Sequence, residues 1–143
     1  MAAIIGNREH MERVRDLINT FVIMMLKRGE EHDQTKIISP EMEQFAEAAD
    51  LKDLTFGSEE YDQSKAALDD ALQHHYATYR HHPQHFKNGI DDMNLVDLIE
   101  MFLDWKASSE RQNDGNLHHS IEEGGKKFNM SEQLIHIFEN TVE

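Results

Sequence analysis

Apolar residues recur every three or four positions along most of this chain. Over residues 8–28 the series Met11, Val14, Leu17, Ile18, Phe21, Met24 and Met25 follows helical spacing. Asn7 is placed to cap that helix and Gly29 to end it. His10 comes one turn before Val14, on the apolar face, where a histidine is either a hydrogen-bonded core residue or a metal ligand. Ser39-Pro40-Glu41 predicts the start of a short second helix, with serine as cap and proline in the first turn. Residues 51–57 read as a loop. Ser58 opens a third helix to about residue 80, its apolar face running through Ala67, Leu68, Ala71, Leu72, His75 and Tyr79. His75 therefore faces the core and His74 the flank. Pro83 and Gly89 break residues 80–93. Asn94, with Asp97 three residues on, opens a fourth helix to about Gln112; Leu95, Leu98, Ile99, Phe102, Leu103 and Trp105 are its apolar members. Asp104 stands between Leu103 and Trp105, and a carboxylate there is costly to bury unless paired or metal-bound. Residues 117–128 and 131–142 predict two more short helices. No segment alternates as a strand would. The pattern predicts an all-α fold, a compact single-domain bundle of five to seven helices over residues 1–143.

Composition narrows the chemistry. Fourteen Lys and Arg against 28 Asp and Glu give a formal charge of −14. That field repels phosphate backbones, so no nucleic-acid backbone partner is expected. A polyanionic substrate would need metal ions or local basic residues to reverse the sign. No apolar run approaches the roughly 20 residues that cross a bilayer, so no membrane partner is expected. The lack of cysteine and of a leader pattern predicts a cytoplasmic protein. A homo-oligomer is compatible with the sequence.

Histidine changes this picture most. There are ten in 143 residues, five of them within residues 74–86: His74, His75, His81, His82 and His85. A solvated, pH-sensitive surface loop is one reading of that cluster, and a metal site is the other. Without cysteine, any ion is held by imidazole and carboxylate, a donor set suited to Mn, Fe, Co, Ni or Zn. Upstream, His32 and Asp33 adjoin in the run Glu30-Glu31-His32-Asp33-Gln34-Thr35-Lys36-Ile37. Successive side chains on a helix point about 100° apart, so both can serve one ion only where a helix ends or bends. Lys36 would suit a phosphate oxygen.

The order His10, His32-Asp33, a His-rich segment, then Asp104 resembles the HD superfamily of metal-dependent phosphohydrolases. His32-Asp33-Gln34-Thr35-Lys36 resembles its HDxxK variant, and His81-His82-Pro83-Gln84-His85-Phe86 resembles the His-His segment of two-metal members. The stretches HHP-x-HF, DLIEMFLDWKASSER and SIEEGGKKF also resemble a family of small uncharacterised proteins frequent in phage genomes. The HD resemblance implies one or two divalent transition-metal ions. His10, His32, Asp33 and Asp104 would hold the first; His75 with His81 or His82 would hold a second, bridged by Asp33. It implies a phosphohydrolase acting on a small phosphorylated metabolite, most plausibly a nucleotide, with Lys36 neutralising the phosphoryl group. Arg111, seven residues beyond Asp104, could grip a distal phosphate, as could Arg80; either is otherwise a surface cation. The glycine after Asn88 is followed by Ile90, so the full GYP signature is absent and cyclic-dinucleotide specificity is not implied. Two other readings fit the same residues: an HD-type di-iron oxygenase, and a non-catalytic helical module that binds metal or a partner protein. His118, His119 and His136 read as surface residues.

Overall fold

The computed structural model describes residues 2–49, 58–111 and 115–142. The loop predicted over 51–57 and the predicted helix end at Gln112 lie outside them. The fold is all-α. Six α-helices are described, α1 (Ala2–Glu31), α2 (Glu41–Ala49), α3 (Glu59–Thr78), α4 (Leu95–Glu110), α5 (Leu117–Lys127) and α6 (Glu132–Glu139), with no strand among the described residues. Short 3-10 turns stand at Gln34–Ile37, Pro83–His85 and Gly89–Asp92. The chain separates into two compact units, Met1–His32 and Asp33–Glu143.

The first unit is α1. It starts well before the predicted cap at Asn7 and runs on through Gly29. A mid-helix glycine costs about 1 kcal/mol, which thirty residues of helix absorb. The helix ends at Glu31, and Asp33, two residues on, has a left-handed φ of 55°; aspartate is among the few residues that enter this region readily. One helix has nothing of its own to bury a stripe against. Leu17 and Ile18 are accordingly more than half exposed. His10 is exposed too, so the buried face predicted for it is absent.

The second unit owns the core. Met101 and Phe102 of α4 pack with Leu117 and Ile121 of α5, Met130, and Phe138 of α6; Trp105, Leu134 and Ile135 close around them. The packing is tight enough to dictate composition: a Cβ at Gly124 would lie 2.2 Å from the Trp105 ring, so only glycine lets α5 approach. Two of the predicted caps, Ser58 and Asn94, are present, while Asn7 lies inside α1 and α2 begins only at Glu41, after Ser39-Pro40. Ser58 accepts from the Tyr61 amide, and Asn94 and Asp97 form a reciprocal capping box at 3.0 and 3.1 Å. The buried side of α4 is turned from the predicted one. Leu95 and Leu103 are exposed, while Asp97, Glu100 and Met101 are buried.

Asp97 is fully buried because it has enough partners. Besides its cap it accepts from Arg80 Nε at 3.1 Å and Nη2 at 2.9 Å. The guanidinium also lies over the Phe86 ring, 4.7 Å from its centroid. Arg80 thus ties the end of α3 to the start of α4. Asp97→Ala should cost about 2–3 kcal/mol, since charge-assisted contacts and a cap go together. A urea midpoint unchanged from wild type would contradict this.

Candidate metal centre

Three imidazoles and one carboxylate converge in the second unit. Ligand atoms of Asp33, His75, His81 and His82 all lie within 4.8 Å of one another. Each arrives by a different local device. The left-handed turn at Asp33 ends the path of α1 and starts the Gln34–Ile37 turn. Two bonds clamp that turn down: the Thr35 amide donates to Tyr79 Oη at 2.7 Å, and Thr35 Oγ1 donates to Glu41 Oε2 at 2.7 Å. His75 lies on the buried face of α3, as its spacing predicts, and is 1% exposed. α3 ends at Thr78, and the extended backbone at His82, followed by Pro83, brings His81 and His82 back beside His75.

Asp33 Oδ1 is 3.2 Å from His75 Nε2 and 3.5 Å from His81 Nε2, and His75 Nε2 is 3.0 Å from His82 Nε2. The far side of two rings is held by buried carboxylates. Glu41 Oε2 is 3.2 Å from His75 Nδ1, and Glu100 Oε1 is 3.0 Å from His81 Nδ1. Glu41 Oε2 accepts from His75 Nδ1, and the Nε2 atoms of His75 and His81 face Asp33 Oδ1. Burial, reinforced by repulsion from the neighbouring His81 and His75, pushes His82 down to about 3. Burial by itself pushes the Glu41 carboxyl up. Hydrogen bonds from His74, Thr35 and His75 outweigh that and hold it below its usual value.

Imidazole nitrogens crowded against a carboxylate oxygen call for positive charge among them, supplied by a ring proton or by an ion. Ligands about 2.0–2.1 Å from a tetrahedral ion stand roughly 3.3–3.4 Å apart; three of the contacts here run from 3.0 to 3.5 Å, and all four ligand atoms lie within 4.8 Å of one another. Imidazole rings backed by carboxylates are the usual outer arrangement of metal-binding histidines. The donor set and its spacing therefore fit an ion.

The other predicted residues are placed as follows. Asp104 is half-buried on α4, with a carboxylate oxygen within 4.8 Å of Asp33's. His32 is the neighbour of Asp33 in the chain and ends the first unit. His10, also in that unit, is exposed. Lys36 does not stand apart from the ligands: its Nζ is 2.7 Å from Asp33 Oδ2, leaving Oδ1 to the imidazoles. Arg111 is exposed just beyond α4, where a cation suits the helix dipole. His85 Nδ1 donates to the Tyr76 carbonyl at 2.9 Å. His118 pairs with Glu139, and His118, His119 and His136 are exposed.

Glu41 and Glu100 were not among the predicted site residues. Glu100 had a signal, since it sits between Ile99 and Met101 much as Asp104 sits between Leu103 and Trp105. Glu41 had none, because a glutamate after Ser-Pro reads as an ordinary first-turn acid.

Lys36→Ala should weaken ion binding about tenfold, by releasing Oδ2 and with it the orientation of Asp33, while Lys36→Arg should preserve it. Unchanged affinity in the alanine variant would sever the lysine from the centre.

Among the described residues no helix is long and apolar enough to cross a membrane. Comparison with curated proteins and with solved structures gives no match. A family model, described as a family of unknown function (DUF5662), matches residues 6–143, and the chain belongs to that family.

Proposed function

We propose that this chain is a metal-dependent phosphohydrolase acting on a small phosphorylated metabolite. One divalent transition-metal ion is held by Asp33, His75, His81 and His82. The observation that supports it is the convergence of His75 and His81 on Asp33 Oδ1, with His82 Nε2 beside His75 Nε2. When bound, such an ion supplies Lewis acidity, which polarises a phosphoryl oxygen and activates water near neutral pH. The chain's own residues do the rest. Glu41 and Glu100 hold the His75 and His81 rings from behind. Lys36 steadies Asp33 and, being partly exposed, is within its side chain's freedom of an anionic group brought to the rim. The resemblance of His32-Asp33 and Lys36 to the HDxxK pattern supports hydrolysis over mere metal storage; the nucleotide as substrate rests on that resemblance alone.

The test is phosphate release by the full chain loaded in turn with Mn, Fe, Co, Ni or Zn, against a panel of phosphomonoesters and nucleotides. Turnover with at least one metal, lost in Asp33→Ala, is the expected result. Oxygen consumption with iron alone would favour the oxygenase reading, which three imidazoles and a carboxylate also suit. No turnover of either kind would leave a metal-binding module.

A further inference from the structure

His82 belongs to two features at once. It is one of the four converging ligands, and it lines a cavity of about 400 Å³ together with Tyr76, Trp105, Ser120, Lys127 and Phe128. We propose that this cavity binds the substrate of the centre, and that the substrate is a small flat-ringed molecule with one anionic group. That the ligand is a substrate rests on the reading above; that the cavity takes a ringed anion does not.

The walls argue for a ring. Tyr76 and His82 stand edge to face with centroids 5.0 Å apart, and Trp105 and Phe128 are near-parallel, 14° between planes at 6.3 Å. Aromatic side chains offer flat apolar faces that suit flat ligands. The tryptophan wall is fixed in advance, because Gly124 brings the backbone of α5 against the indole with no room for a Cβ. A site that does not rearrange loses less on binding. The volume is at the lower end of the range of small-molecule sites.

The charges argue for a single anionic group. Lys127 lines the cavity, its Nζ 5.1 Å from the Phe128 centroid. Glu123, the acid of the same lining, is engaged by Lys126 at 3.0 Å. The rim of the cavity thus carries a local cation in a chain of net charge −14. One negative group is matched there, and the field of the rest of the chain opposes more.

The chain holds a single tryptophan, Trp105, so its fluorescence reports on this wall alone. Phenyl phosphate is titrated into the metal-free full chain, with inorganic phosphate and phenol in parallel. A saturable change with phenyl phosphate is expected, weaker by about tenfold or more with either half-molecule. Ser120→Phe, which fills the cavity, should abolish the change. Ser108→Phe, at an exposed position of the same lining, is the second filling variant should the first fail to fold. Lys127→Ala should weaken phenyl phosphate about three- to tenfold and leave phenol unaffected. No saturable change in wild type, or a change surviving in a folded filling variant, would overturn the pocket. Equal binding of phosphate would remove the ring from the proposal, and equal binding of phenol would remove the anion. If phenyl phosphate binds but no metal is ever taken up, the pocket stands and its assignment as a substrate site falls.

Discussion

Asp33→Ala should abolish tight metal uptake, an effect of at least 100-fold on affinity. Asp33 supplies the carboxylate oxygen that faces both His75 and His81. Without it three imidazoles remain, and the ion loses the one carboxylate among its four ligands. Alanine also sits poorly at a φ of 55°, so the variant combines a lost ligand with a strained turn. Asp33→Asn separates the two: asparagine tolerates this backbone region and keeps the shape but not the charge. Both should lose metal, while Asn alone should keep the wild-type urea midpoint. Full metal content in Asp33→Asn would remove this residue from the ligand set.

Glu41→Ala should be the most destabilising single change in the second unit, costing about 3–5 kcal/mol. The carboxylate is 0% exposed and serves His74, His75 and Thr35. Removing it strands buried donors, unlatches the Gln34–Ile37 turn from α2 and α3, and frees the His75 ring to flip. Metal affinity should fall together with stability. The pH dependence has a definite sign. Because the folded carboxyl titrates below its ordinary 4.5, its ionised form is favoured by folding. The contribution is complete above that value and fades as pH falls through the lower folded one. The gap in unfolding free energy between wild type and Glu41→Gln should therefore be widest near neutrality and narrow on acidification below about pH 4.5. A loss under about 1 kcal/mol in Glu41→Ala would mean that water replaces the carboxylate at little cost.

Local signals in the sequence were read directly in the fold. Helical spacing and the caps at Ser58 and Asn94 depend on neighbours a few residues away, and they are where the pattern places them. His75 faces inward because it shares a stripe with Ala71 and Tyr79. What was not legible depends on tertiary partners. His10 is exposed although it shares the apolar spacing of Val14 and Leu17. Arg80 looked like a cation awaiting phosphate, and its partner Asp97 comes from another helix. The role of Glu41 arises only where α2 meets α3. Asp33 was legible as a candidate ligand, but its left-handed backbone, which aims Oδ1 and Oδ2 at different partners, was not.

The most direct measurement on the central claim is X-ray absorption spectroscopy of the zinc-loaded full chain. A first shell at about 2.0–2.1 Å with scattering from three imidazoles and one carboxylate oxygen is the predicted result. A shell with one imidazole or none, or an ion bound only through oxygen, would contradict a centre built from Asp33, His75, His81 and His82.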